Sequence, residues 1–282
     1  MLPTTAIAEH YSNGGEGLKT ASIPGPGFYY LMYNNYYTAS EIMDKNGNDA
    51  GIGFDIRALA NVNRFVYITE KKVLGADLGG QLLVPLVNVN LEIDAFHLDE
   101  EKSGLGDIVV EPLLLGWHKE RYDAAFSLCV FVPTGKYDKN DHVNIGQDHY
   151  TVMVSQGITY YLNSGKDWHA AYLARYEKHF SNKDLDITYG DDFHVEWGIG
   201  KTIKHLYNVG LVGYSNWQVT KDSGRDATWD KSVKDEVHAI GVEIGGFIPA
   251  GHFAIIGRFY QEFGAKDRPE GQSFFVNIIK PF

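Results

Sequence analysis

Phe253-Ala254-Ile255-Ile256-Gly257-Arg258-Phe259-Tyr260-Gln261-Glu262, followed after a short break by Phe274-Phe275-Val276-Asn277-Ile278-Ile279-Lys280-Pro281-Phe282, decides how the rest of the chain is read. In the first run Phe253, Ile255 and Phe259 fall opposite Arg258, Tyr260 and Glu262, and in the second Phe274, Val276, Ile278 and Phe282 share a face. Successive side chains of an extended chain point to opposite sides, so both runs read as strands with one apolar and one mixed face. The same alternation puts Val87, Val89, Leu91 and Ile93 against Asn88, Asn90, Glu92 and Asp94.

Working back from these runs, period-2 patterning predicts about twelve strands and almost no helix. They cover roughly 27–38, 56–71, 78–96, 106–117, 122–132, 149–162, 167–180, 191–201, 206–219, 236–247, 252–263 and 272–282. Composition agrees. The 282 residues hold 31 Gly, 18 Tyr and 15 Phe but only 9 Pro, and lack the Ala-Leu-Glu-Lys bias of a helical chain.

The connections alternate in length. Long ones fall at 39–55, 97–105, 133–148, 181–190, 220–235 and 264–271, and short ones at 72–77, 118–121, 163–166, 202–205 and 248–251. In an up-and-down barrel successive connections emerge at opposite ends, so every long loop lies at one end and every tight turn at the other. That asymmetry belongs to outer-membrane barrels, with long extracellular loops and short periplasmic turns. Charge divides the same way. The long loops carry 18 acidic and 11 basic residues, whereas Lys72, Lys119, Arg121, Lys166 and Lys204 outnumber Asp77 and Glu120 in the turns. The sign change is not explained by loops merely being where charges go.

No run of about 18 apolar residues exists, so no transmembrane helix is expected. Hydropathy alone would suggest a soluble chain, but a membrane barrel carries only a weak signal per strand. Tyr29, Tyr30, Tyr36, Tyr37, Trp117, Tyr122, Tyr150, Tyr160, Tyr161, Trp168, Tyr214 and Trp217 sit near strand ends, where aromatic rings suit a membrane–water interface. The N-terminus lacks a secretory pattern, and Ala6-Ile7-Ala8 has the form of a cleavage site with little upstream, so a mature form is expected. A net charge of −11 argues against nucleic acid as a partner.

If the apolar face meets lipid, alternation forces polar residues inward. The expected pore-lining set is Arg57, Asn61, Asn88, Asn90, Glu92, Glu111, Arg175, Glu177, His194, Glu196, Asn216, Glu243, Arg258 and Glu262. An Arg or Lys on the lipid side near the midplane costs about 2–4 kcal/mol. Inward charges can instead pair across the lumen, filling the interior or setting selectivity. Twelve strands leave a narrow lumen. Residues 1–26 show no strand pattern, which leaves two readings: a segment inside the barrel 27–282, or a disordered tail.

Four patches carry a family resemblance. They are Gly15-Glu16-Gly17 with Pro24-Gly25-Pro26-Gly27-Phe28-Tyr29-Tyr30; Gly106-Asp107-Ile108-Val109-Val110-Glu111-Pro112-Leu113-Leu114-Leu115-Gly116-Trp117; Phe131-Val132-Pro133-Thr134-Gly135-Lys136-Tyr137; and Asn144-Ile145-Gly146-Gln147-Asp148. In these the chain resembles the bacterial outer-membrane family named for the meta-pathway of phenol degradation. The resemblance covers essentially the whole chain. It implies a small monomeric barrel of about twelve strands in a Gram-negative outer membrane, bounded by lipid and lipopolysaccharide and acting as a channel. It supplies no catalytic motif. Phe282 matches the aromatic terminus common in such barrels, while Lys280 departs from it.

Enzyme signatures are absent: no Gly-x-Ser-x-Gly elbow, phosphate-binding loop or His-Glu-x-x-His pair is present. Cys129, the one cysteine, allows no internal disulfide and reads as a packed side chain. His142 and His149 share a loop, and 44–48 and 138–142 faintly resemble calcium loops, without the Gly and Glu such loops need. No cofactor or metal is therefore expected beyond weak divalent binding at the acidic loops. The expected function is passive uptake of small solutes, aromatic or hydrophobic ones among them. A lipid-modifying outer-membrane enzyme, a structural or adhesive barrel and a soluble β protein are the competing readings.

Overall fold

The computed structural model describes residues 9–282; the expectations for residues 1–8, including the cleavage-like Ala6-Ile7-Ala8, lie outside the described residues. Thirteen strands follow one another: β1 (Gly27–Ala39), β2 (Phe54–Val73), β3 (Ala76–Ile93), β4 (Leu98–Leu105), β5 (Ile108–His118), β6 (Tyr122–Val132), β7 (Thr151–Tyr161), β8 (Trp168–His179), β9 (Asp192–Ile203), β10 (Tyr207–Gln218), β11 (Glu236–Ile248), β12 (Phe253–Lys266) and β13 (Gln272–Pro281). All pairings are antiparallel between neighbours, and β1 also pairs with β13, from Tyr29↔Pro281 to Thr38↔Gln272, which closes the sheet. A closed sheet has no unpaired edge.

The thirteen strands make twelve staves. Leu86–Ile93 of β3 pair with β4, and Asp77–Leu83 of the same strand pair with β5. Thus β4 and β5 are two halves of one stave, broken at Gly106-Asp107. The break faces Pro85, which has no N–H for the ladder and accepts instead a bond from the Gly106 N–H at 2.9 Å. The twelve expected strands each end within three residues of an observed one.

Two expected loops are corrected. The stretch 97–105 is the strand β4, reached through a one-turn 3-10 segment at Asp94–Phe96 and His97 with φ +51°. Its charges mimic a loop because every second residue of β4 is exposed, and on that exposed side Asn88 donates to Glu101 and Ser103. The stretch 264–271 shortens to 267–271 because β12 runs on to Lys266.

The outward face is apolar along most staves. Leu82, Leu86, Val110, Val154, Tyr172, Ile199, Leu211, Ile240, Val242, Phe274 and Val276 are all exposed. A belt of this extent is out of place on a water-soluble monomer. Trp168, Tyr160, Tyr122 and Tyr207 ring its turn end, and Tyr150, Tyr176 and Phe180 its loop end. Buried charges gather on the inner face.

Candidate functional site

The N-terminal segment from Glu9 to Pro26 runs through the barrel, and the inner face grips it. Glu177 accepts the backbone N–H groups of His10 and Tyr11, each at 3.0 Å. The Arg175 guanidinium lies 3.8 Å from the centre of the Tyr11 ring. His194 Nδ1 donates to Asn13 Oδ1 at 2.9 Å, and Glu196 accepts the Glu16 N–H at 3.1 Å. Arg258 donates to the carbonyls of Gly15 and Glu16, at 2.6 and 3.2 Å, and pairs with Glu243, which accepts the Leu18 N–H at 3.0 Å.

Local sequence explains how the segment fits. Gly17 has φ +71°, and a Cβ there would meet Glu243 Oε2 and Arg258 Nε. Leu18 is buried against the inner face of β9 and β10, where Gly198 leaves room: a Cβ on it would lie 2.7 Å from Leu18 Cα. Glu16 reaches Arg64 of β2 in a 2.7 Å ion pair, and along the wall Arg175 of β8 pairs with Glu196 of the adjacent β9 at 2.8 Å. Opposite charges on the segment and wall thus neutralise each other in a space with little water.

Between segment and wall lies a cavity of about 640 Å³. It extends from Ile145 and Gln147 near the loop end to Phe247 and Pro281 near the turn end. Leu31, Val62, Val66, Leu83, Val109 and Leu114 give one side an apolar surface, while Arg64, Glu111, Arg175, Glu243 and Arg258 add charge. Cys129 packs with Val109, Phe131 and Met153.

Nine of the fourteen residues expected to line the pore face inward: Glu111, Arg175, Glu177, His194, Glu196, Asn216, Glu243, Arg258 and Glu262 are all buried. Six of these touch the N-terminal segment directly. Glu111 faces the cavity, Glu262 accepts from Tyr37 and Tyr214 hydroxyls at 2.9 and 2.8 Å, and Asn216 is fully buried.

The other five lie on the opposite face. Ala60, Val62, Arg64 and Val66 of β2, and Gln81, Leu83, Pro85 and Val87 of β3, point into the cavity. Alternation therefore turns Arg57, Asn61, Asn88, Asn90 and Glu92 outward. Two causes misled the assignment. In the middle of the wall, Asn61 donates to Asn34 at 2.7 Å and accepts from Asn63 at 2.9 Å, so outward amides satisfy one another. Nearer the loop end the polarity inverts: Ile93, Leu91, Phe54 and Ile56 form an apolar cluster inside, and Arg57 pairs with Asp55 outside. Arg64 was missed for the same reason; a mid-strand charge fixes the inward phase better than an amide does.

The loop end is built around Asp107. Its carboxylate accepts the Gly135 and Gln147 N–H groups, both at 2.8 Å, and His10 Nε2–H at 3.0 Å. Burial alone would raise this carboxyl, but those bonds outweigh it and hold it below its ordinary value. His142 and His149 do not meet: His142 bonds Glu100 at 2.8 Å, while His149 lies beside His10 and His179. Neither His10 nor His179 was singled out, since 169 residues separate them. In the calcium-like stretch 44–48, Asp44 Oδ1 already accepts the Asn46 and Asn48 N–H groups, at 2.8 and 3.0 Å.

Residues 39–278 match the model of a protein family described as "Putative MetA-pathway of phenol degradation". The chain belongs to this family. Among solved structures it is similar to an outer membrane channel from Pseudomonas putida F1, with a TM-score of 0.83 at 15% identity over 97% of this chain and 100% of that one. It is also similar to the beta domain of the Bordetella autotransporter BrkA (TM-score 0.53, 10% identity, 92% and 100% covered). A further likeness is to the CymD monoaromatic hydrocarbon channel (TM-score 0.50, 9% identity, 92% and 89% covered). Comparison with the curated proteins finds no match. At these identities the likenesses establish the closed barrel.

Proposed function

We propose that this family member is a passive channel of the bacterial outer membrane. It takes up small hydrophobic or aromatic solutes, and the N-terminal segment sets its constriction. The observation that carries this reading is the apolar-sided cavity of about 640 Å³ running lengthwise between segment and wall. That volume suits small-molecule sites generally, and the apolar side favours solutes that shed water on entry. The outward apolar belt supplies the surface for lipid, with lipopolysaccharide as the outer-leaflet neighbour. Closure of β1 on β13 leaves no open sheet edge for a second copy to pair with, which supports a monomer.

The channel reading is preferred to the enzyme reading because six of the buried polar residues are spent on holding the segment. The likeness in fold to a channel from P. putida F1 supports it. The test compares uptake of a labelled monoaromatic compound at limiting concentration by a deletion strain complemented with wild type or with Leu83→Trp. Leu83 lines the cavity. Wild type should restore uptake and Leu83→Trp should not; equal uptake with and without the wild-type gene refutes the proposal.

A further inference from the structure

His10 of the N-terminal segment, His149 just before β7 and His179 at the end of β8 meet at the loop end of the lumen. One ring nitrogen from each lies within 4.8 Å of the others. His149 and His179 are fully buried, and the side chain of His10 is 3% exposed.

The second nitrogen of every ring is committed to an acceptor. His10 Nε2 bonds Asp107 at 3.0 Å, His149 Nδ1 bonds the Gln147 carbonyl at 2.9 Å, and His179 Nε2 bonds Asp192 at 2.9 Å. Carbonyls and carboxylates only accept, so these nitrogens carry the N–H groups. The lone pairs then sit on His10 Nδ1, His149 Nε2 and His179 Nδ1, and they converge. His149 Nε2 is 3.3 Å from His179 Nδ1. Thr151 Oγ1 is 2.7 Å from both His10 Nδ1 and His179 Nδ1. A threonine hydroxyl has one hydrogen, so it satisfies one of the two. Among the described residues, three buried lone pairs share a single proton donor, the Thr151 hydroxyl, and what the arrangement lacks is a positive charge.

We propose that His10, His149 and His179 form a three-imidazole site for a divalent transition-metal ion such as zinc. Three observations select that class. Metal-binding imidazoles typically donate their other N–H to a carboxylate or carbonyl, as all three do here. The 3.3 Å nitrogen separation is close to the edge of a tetrahedron with zinc–nitrogen bonds, about 3.4 Å. Imidazole nitrogens suit zinc, cobalt, nickel and copper, whereas calcium and magnesium take oxygen ligands.

Glu177, also close to His179, has both oxygens engaged by the N–H groups of His10 and Tyr11. It anchors the segment. The site departs from the sequence-based expectation of no metal. It joins the N-terminal segment to the wall, so a bound ion fastens the start of that segment inside the barrel. His10 and Gln147 line the cavity, which gives an entry path.

The test uses the full chain without a histidine tag, purified in detergent, stripped with EDTA and titrated with Co²⁺. Visible absorption reports tetrahedral cobalt. One Co²⁺ should bind per chain and be displaced by Zn²⁺. His149→Ala and His179→Ala should each abolish the absorption, Asp192→Asn should weaken binding about 10- to 100-fold, and His205→Ala, in an exposed turn, should leave it unchanged. Absence of cobalt absorption from the wild-type protein overturns the proposal without any variant. So does absorption unaltered by His149→Ala in protein that keeps the gel mobility of a folded barrel. The readout is independent of whether the barrel conducts, so it stands or falls apart from the proposed uptake.

Discussion

Replacing Gly17 by alanine should loosen the N-terminal segment without disturbing the barrel. Gly17 sits at φ +71°, where a residue bearing Cβ costs about 1–2 kcal/mol. The new methyl group also falls where Glu243 Oε2 and Arg258 Nε now meet. One must yield, losing either the bond from Glu243 to the Leu18 N–H or those from Arg258 to the carbonyls of Gly15 and Glu16. A hydrogen bond to a charged group contributes about 1.5–3 kcal/mol. Docking should therefore weaken by about 2.5–5 kcal/mol, and the undocked population should rise roughly 70- to 5,000-fold. Trypsin cleavage after Lys19, followed by mass spectrometry, reads that population when opening and closing are fast relative to cleavage. Single-channel current should rise in parallel. Wild-type rates of cleavage in Gly17→Ala, in folded protein, would refute the assignment of Gly17, Glu243 and Arg258 as the clasp.

Two further expectations concern the wall and the loops. Val242→Arg, on the outward face of β11, should lower barrel stability by about 2–4 kcal/mol, whereas Asn61→Leu should change it by less than about 1 kcal/mol; urea denaturation read by gel mobility checks both, and a tolerated Val242→Arg would contradict the outward apolar belt. Asp107→Asn weakens two backbone bonds and should speed proteolysis within 133–150. Because the Asp107 carboxyl is held below its ordinary 3.8, its stabilisation is complete above about pH 4 and is lost as pH falls through the lowered value. Loop cleavage by an acid-tolerant protease should thus be flat from pH 5 to 7 and rise only below pH 4.

The barrel was legible because each stave repeats one simple pattern, and because loop lengths alternate with a fixed phase. In β9, β11 and β12 the inward charges Glu196, Glu243 and Arg258 set the phase unambiguously. In β2 and β3 the amides Asn61, Asn88 and Asn90 gave the wrong one, since an amide can remain outward where a neighbouring amide or water satisfies it. Arg64, two residues beyond Val62, carried the correct phase. The path of residues 9–26 was undetermined because a segment held by side-chain bonds to scattered partners has no period to read. Glu16 alone answers to Arg64 and the backbone N–H donates to Glu196, across 48 and 180 residues. The histidine cluster was hidden for the same reason.

Those long-range clasps bear on how the seam is sewn. Tyr29 must find Pro281, 252 residues away, for the cylinder to shut. Leu18 and the glycines before it are held by Glu243 and Arg258, on strands that lie just before β13 in the chain. If the leader settles on the still-open sheet, the stretch left to search shrinks from about 250 residues to about ten, which lowers the closure entropy by about 3 kcal/mol. The same thread that narrows the finished conduit then serves as the basting stitch that brings its first and last staves edge to edge.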